Sequence, residues 1–166
     1  MGSVNLARVD ERLIHGQVMT NLSKRSGVNS IFVVDDVVAQ DSFMKNLYKS
    51  AGSRTGQKTH VLTIEKCKHH WDTNKFKEYN CILITKSVKV MHELAKHGIP
   101  MPELNIGGVA QKGDGTLVNK AVYLTKEEML MLKEMKEDSG VNEIYFQTVP
   151  SSSRTEYGEV LKKFNM

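Results

Sequence analysis

The stretch RVDERLIHGQV (8–18) sets one histidine, His15, downstream of Arg8, Asp10 and Arg12 and directly before Gly16. These residue types suit covalent phosphoryl carriage. A histidine nucleophile needs its neutral imidazole, which is roughly three quarters populated at pH 7 for an ordinary pKa near 6.5. Arg8, Arg12 and an adjacent helix N-terminus all disfavour the imidazolium, and the same cations favour the dianion once a phosphoryl group is attached. Arg12 can grip equatorial phosphoryl oxygens with two parallel N–H donors. Asp10 can hydrogen-bond one ring nitrogen, deciding which nitrogen reacts, or anchor an arginine. The plain alternative is a histidine that caps or packs a helix start, and spacing alone does not separate the two.

The elements that must position this stretch are legible as short apolar runs between helical patterns. VNLARV (4–9), SIFVV (30–34), THVLTI (59–64), NCILIT (80–85) and NEIYFQTV (142–149) have the near-continuous apolar character of strands buried on both faces. Between them, GQVMTNLSKR (16–25) reads as a helix burying Val18 and Leu22. Ser87 caps a helix with Val90, Met91 and Leu94 on one face, stopped at His97-Gly98 and Pro100. Thr125 with Glu128 makes a capping box before a helix ending near Gly140, and Ser153 with Glu156 makes a second. Strands alternating with helices of this length predict right-handed crossovers. The expected fold is therefore one α/β domain over residues 1–166, an open, doubly wound, mainly parallel sheet with helices on both faces. In such sheets ligands bind beyond the carboxyl ends of the strands, and His15 lies in the first such connection.

Totals narrow the function classes. A chain of 166 residues with 40% hydrophobic and 25% charged residues has room for one core and is not disordered in composition. No apolar run approaches the roughly 20 residues that span a bilayer, and no secretion signal is evident, so a cytoplasmic protein is expected. Cys67 and Cys81 lack C-x-x-C spacing, which points to reduced thiols rather than a disulfide or zinc site. The net charge of +4 is spread along the chain and aromatics are only 7%, so no nucleic-acid surface is indicated. Neither a P-loop nor a complete G-x-G-x-x-G occurs, and no nucleotide, metal or other cofactor is expected. A homo-oligomer is left open.

Other candidates have modest readings. Gly107 and Gly108, after the strand-like ELNI, permit close backbone approach to a phosphoryl group beside His15, or form a tight turn. Asp35 and Asp36 resemble a magnesium pair, but the expected role is capping the next helix and pairing with a nearby arginine. Adjacent His69 and His70 diverge by about 100° on a helix, a poor arrangement for one metal, and read as solvated surface.

Taken as a string, ARVDERLIHGQV is similar to the active-site signature of the enzyme IIB components of the mannose/fructose/sorbose family of the bacterial sugar phosphotransferase system. The resemblance continues through IFVVDDVVAQD (31–41), LNIGGVAQKGDGT (104–116), KAVYLTKEE (120–128) and QTVP (147–150), covering nearly the whole chain in order. It implies that His15 accepts a phosphoryl group from a phosphohistidine of a IIA protein or domain. It further implies that His15 passes the group to a sugar bound by the membrane IIC and IID components, with the protein peripherally associated with that transporter. Arg12 is similar in position to the family's phosphoryl-stabilising arginine and Asp10 to its loop acid; Arg8, Gly16, Gly107 and Gly108 are expected near the phosphoryl group. Val109 departs from the methionine that relatives often carry there. Two rival classes are a histidine phosphatase or mutase, which usually shows Arg-His-Gly where this chain has Ile14 before His15, and a non-enzymatic regulator that binds an acidic partner through Arg8 and Arg12.

Overall fold

Apolar runs bounded by turn residues pair most effectively when both faces are covered, and here they do so as a parallel sheet flanked by helices. A computed structural model describes residues 1–166, with Gln17 described through its backbone alone. The chain runs β1 (Ser3–Asp10), α1 (Gly16–Leu22), β2 (Ser30–Val34), α2 (Asp36–Gln40), α3 (Ser42–Ser53), β3 (Lys58–Leu62), α4 (Ile64–Asn74), β4 (Asn80–Thr85) and α5 (Val88–Lys96). It continues through β5 (Glu103–Gly108), β6 (Thr116–Asn119), β7 (Val122–Leu124), α6 (Lys126–Asp138), β8 (Glu143–Phe146), β9 (Thr155–Glu156) and α7 (Tyr157–Lys163). The main sheet has the order β3-β2-β4-β1-β5-β8-β9. Every pairing in it is parallel except β8 with β9.

The expected open, doubly wound α/β architecture is what forms. One core layer lies under α4 to α7, with Phe32, Trp71, Leu83, Met91, Ile106, Leu132 and Val160 buried. The other lies under α1 to α3, with Leu6, Leu13, Met19, Ile31, Val33 and Ile84 buried. The period-two alternation of β1 splits its residues between them: Ala7 and Val9 face the first layer, Leu6 the second. Arg8 and Asp10 share the face of Leu6. Adjacent strands β1 and β5 send their connections to opposite sides of the sheet, so the crevice of the fold opens beyond Asp10 and Gly108, which pair across a register shift that skips Gly107.

Several boundaries differ from the sequence reading, each for a local reason. The 59–64 run ends as a strand at Leu62 because Thr63 accepts from the Lys66 N–H and caps α4. The 142–149 run stops at Phe146, and its continuation bends so that the Gln147 and Thr148 carbonyls accept from Asn105 and Arg8. Helix α1 ends at Leu22 rather than 25, with Ser23 as its C-cap. The expected Ser153 cap is not used: Ser153 offers its carbonyl to Asn119, and α7 is capped at Glu156, whose N–H donates to Glu159. The stretch AGSRTGQK (51–58) begins inside α3 and ends in β3, and the 108–116 stretch leads into a β6–β7 hairpin. Thr125 and Glu128 form the capping box as expected.

Candidate functional site

The loop after β1 is short and heavily anchored. Its Leu13 N–H donates to the Asp10 carbonyl at 2.9 Å, and Leu13 itself is fully buried with φ of 57°, a left-handed conformation that costs a branched residue about 1–2 kcal/mol. Packing of its side chain in the α1–α3 layer holds it there. The Glu11 N–H donates to the Gly108 carbonyl at 3.0 Å, and Glu11 Oε2 accepts from the Ala110 N–H at 3.0 Å. The start of the loop is thus tied, through Glu11, to the chain leaving β5.

Asp10 is the hub. Its side chain is 0% exposed. Oδ1 accepts from the Arg12 N–H at 3.0 Å and Arg12 Nε at 3.1 Å, and Oδ2 accepts from Arg8 Nη2 at 2.9 Å and Arg12 Nη2 at 3.2 Å. His15 Nε2 lies 3.0 Å from the same Oδ2. Burial alone would raise the carboxyl pKa, but the Arg12 hydrogen bonds, the Arg8 charge and His15 outweigh it and hold Asp10 below its ordinary value. An ionised carboxylate only accepts, so the proton between them sits on Nε2 and the lone pair of a neutral ring is on Nδ1. His15 is the N-cap residue of α1 but makes no capping hydrogen bond with its side chain, which is spent on Asp10. The plain capping role is thereby corrected.

The arginines divide by exposure. Arg8 is 1% exposed, its guanidinium held by Asp10, the Asn105 carboxamide and the Thr148 carbonyl at 2.7 Å. Burial pulls its pKa down against the pull of Asp10. It lies beneath the site and does not reach the crevice, which corrects its expected place beside a phosphoryl group. Arg12, 46% exposed in its side chain, bonds the same carboxylate from the solvent side with donors to spare.

The glycines serve this buried pair. Gly107 lies inside β5, not in a turn, and a Cβ there would overlap the Arg8 guanidinium. A Cβ at Gly108 would sit 2.8 Å from Asp10 Oδ1. Both positions are buried and make room for side chains of β1. Gly16 is exposed, has φ of 49° and begins α1 beside His15.

A cleft of about 620 Å³ opens at His15, lined by Ile14, His15, Gly16 and Thr20 on one side and by Leu47, Tyr48, Ala51 and Arg54 of α3 and its C-cap on the other. The α3 wall was not foreseen, since nothing in its local sequence marks a distance to residue 15. Phe43 and Leu47 on the same helix are exposed, as is Val37 on α2. Asn105 and Thr148 were also missed; they are ordinary strand and turn residues until the sheet brings them to Arg8.

The remaining candidates fall elsewhere. Asp35 caps α2 through the Val38 N–H and Asp36 accepts from the Ile64 N–H, while neither pairs with an arginine among the described residues. His70 is not solvated surface: its ring packs on Phe32, Phe76 and Tyr79, and His69 alone points outward. Both cysteines are buried, which pushes the Cys67 thiol up to about 12 and raises Cys81 as well. Among the described residues no group of three or more His, Cys, Asp or Glu could hold a metal ion, and no helix is long and apolar enough to cross a membrane.

A histidine held by a buried aspartate at the crevice of a doubly wound sheet, with an exposed arginine on the same aspartate, defines a candidate phosphoryl carrier. Comparison with known proteins gives the family. The sequence model for the PTS system sorbose subfamily IIB component matches residues 4–166, and the chain belongs to this family. It is 34% identical over 132 residues to the sorbose-specific EIIB component of Lacticaseibacillus casei, covering 80% of each. It is 31% identical to the mannose-specific EIIAB component of Escherichia coli strain K12, where the match spans 80% of this chain and 41% of that protein. Among solved structures, manxB from Thermoanaerobacter tengcongensis superposes with a TM-score of 0.89 at 34% identity, covering 98% of this chain and 97% of that one. The IIBSor domain of the sorbose permease from Klebsiella pneumoniae superposes at 0.84 with 27% identity over 98% and 96%. The protein is accordingly a phosphotransferase subunit of PTS sugar transport.

Proposed function

We propose that His15 Nδ1 is the atom that carries the phosphoryl group. The observation that supports this most directly is the 3.0 Å contact between His15 Nε2 and the buried Asp10 carboxylate, which assigns the proton to one nitrogen and leaves the other as nucleophile. A phosphohistidine on a IIA protein or domain presents its phosphorus to Nδ1. The new N–P bond forms as the donor N–P bond breaks, the electron pair staying on the donor imidazole. The Nε2 proton stays in place, so the phosphorylated ring is an imidazolium facing a carboxylate, and no proton has to move. In the second step a sugar hydroxyl held by membrane IIC and IID components attacks the phosphorus. The N–P electron pair returns to Nδ1, and the hydroxyl proton leaves to a base on the acceptor side.

Residue roles follow from exposure. Asp10 orients the ring and offsets its positive charge after transfer. Arg8, inaccessible, holds Asp10 in place with Asn105 and Thr148. Arg12 turns its free donors to the phosphoryl oxygens, and the exposed Gly16 at the rim leaves the approach to Nδ1 open. Such a relay works by positioning and charge stabilisation and uses no metal or nucleotide on this chain. It makes the protein a protein-N(pi)-phosphohistidine–sugar phosphotransferase component that meets the membrane only through its transporter. Against the phosphatase reading, His15 is the sole histidine among the described residues lining the cleft, so no second histidine is placed as a partner.

The test is intact mass after incubation with phosphoenolpyruvate, enzyme I, the histidine phosphocarrier protein and a mannose-family IIA. Wild type gains one acid-labile phosphoryl group and His15→Ala gains none, with Arg12→Ala slower than wild type. Labelling of His15→Ala at the wild-type level refutes the assignment.

A further inference from the structure

The chain has five arginines. Four are held by carboxylates: Arg8 and Arg12 by Asp10, Arg25 by Glu103, and Arg154 by Glu143 and Glu156. The fifth, Arg54, forms no ion pair or side-chain hydrogen bond among the described residues, and its side chain lines the His15 cleft. Its backbone is nevertheless fixed. Gly52, buried two residues earlier, lets α3 close onto β3, where any Cβ would overlap the Thr59 side chain. The Thr55 hydroxyl and N–H both return to the Gly52 carbonyl, and Gln57 reaches the Ser23 carbonyl at the end of α1. An exposed cation with no anionic partner, carried on an anchored backbone, thus lines the cleft of the nucleophile on the wall opposite the loop that carries Arg12.

We propose that Arg54 binds the phosphoryl group resident on His15, as a second cation that grips it from the α3 side while Arg12 grips it from the Asp10 side. The proposal rests on the reading of His15 as the phosphoryl acceptor. It follows from charge: the phosphoryl group brings two negative charges to a site where one of the two arginines on Asp10, Arg8 of β1, is buried and committed to that carboxylate. Arg12, on the Asp10 side, leaves the α3 side of a tetrahedral, doubly charged group facing apolar Leu47 and Ala51, the Tyr48 ring, and Arg54. A guanidinium supplies parallel donors for that side at a charge-assisted strength of roughly twice a neutral hydrogen bond. The ordinary alternative is that Arg54, as the C-cap residue of α3, merely favours the helix dipole.

The experiment uses the full chain phosphorylated through the phosphoenolpyruvate relay, with Arg54→Gln, Arg54→Lys and the control Lys49→Gln, an exposed cation on the same helix that does not line the cleft. The readouts are the ³¹P titration of the phosphorylated protein and the rate of acceptance from phospho-IIA. Arg54→Gln raises the midpoint of the phosphoryl group's second ionisation by about half a pH unit, because removing a nearby cation favours the protonated form, and slows acceptance about tenfold. Arg54→Lys retains part of both, and Lys49→Gln changes neither. A phosphorylated Arg54→Gln protein that titrates as wild type overturns the proposal, even if its acceptance is slow, since the cation then serves the donor's phosphoryl group only. Equal effects from Lys49→Gln overturn it by making the effect one of general charge. Failure of the wild-type chain to take up a phosphoryl group, or uptake that persists in His15→Ala, overturns the His15 reading itself and is seen before any Arg54 variant is compared.

Discussion

Replacing Asp10 by asparagine changes no volume and reverses the logic of the site. The amide oxygen can remain where Oδ1 accepts from Arg12, but the NH₂ then occupies the place of Oδ2. There it faces Arg8 Nη2 at 2.9 Å, Arg12 Nη2 at 3.2 Å and His15 Nε2 at 3.0 Å, three donors against a donor. Arg8 cannot escape to water, being 1% exposed, and leaving one member of a buried pair uncompensated costs about 3–5 kcal/mol. The Arg12 side chain is 46% exposed, so its share is at most about 1 kcal/mol. For a chain of this size each kcal/mol lowers Tm by about 2–4 °C, which predicts a fall of roughly 6–20 °C. His15 is the one donor that can adapt, by releasing its Nε2 proton and taking one on Nδ1. That tautomer has no lone pair on Nδ1, and acceptance should fall on the order of 10³- to 10⁴-fold, the scale seen when a catalytic histidine loses its orienting carboxylate. Thermal melting, rapid-quench phosphoryl acceptance and ¹⁵N chemical shifts of the His15 ring read the three consequences separately. A variant that melts within about 2 °C of wild type, or whose ring stays protonated on Nε2, refutes the account of Asp10 as hub.

Gly107→Ala places a Cβ on the Arg8 guanidinium, which its bonds to Asn105, Asp10 and Thr148 prevent from retreating. Urea denaturation should show a loss of about 1–3 kcal/mol, the usual cost of overpacking, and an unchanged midpoint would mean that β5 yields instead. His60 supplies a pH dependence away from the site. Burial first, then Lys58 and His70, lowers its pKa, and its ring packs on Phe32 and Tyr79. A base held neutral in the folded state binds fewer protons than in the unfolded chain, so stability is full above about pH 6.5 and declines as pH falls below it. His60→Gln should flatten that decline between pH 7 and 5, and an identical slope would exclude His60 as its source. Asp10 contributes in a lower window: with its folded pKa depressed, its stabilisation is present above the ordinary value of 3.8 and is lost only under stronger acid.

The sheet was legible because its strands are short, apolar and separated by helical patterns, a signal that buried parallel strands carry in their own residues. The histidine loop was legible for a similar reason, since Arg8, Asp10, Arg12 and His15 lie within eight consecutive residues. What escaped depends on pairs distant in sequence. Gly107 looks like a glycine for ligand approach until β1 and β5 pair with Arg8 beside Asn105, when it becomes the space for a guanidinium. Arg54 has no sequence neighbour that marks a site, and only the placement of α3 over the same layer as α1 brings it to the cleft. His70 looked solvated because its neighbours in sequence are polar, whereas its neighbours in space are aromatic.

The same distinction between buried and exposed charge explains how one small loop can be both rigid and responsive. Charges inside a protein are tolerated when paired, and their partners then have little freedom to rearrange. Arg8 and Asp10 meet that condition through Asn105 and the Thr148 carbonyl, so the ring of His15 is aimed by a part of the molecule that stays still. A phosphoryl group that arrives and departs needs the opposite: cations whose resting contacts are weak enough to exchange. Arg12, half in solvent and bonded to a carboxylate edge it shares with Arg8, fits that need, and Arg54 holds no anion at all. Had Arg8 been the exposed arginine and Arg12 the buried one, the aspartate would move with every transfer and the choice of nitrogen would move with it. The order of the two arginines in depth therefore matters as much as their presence in the loop.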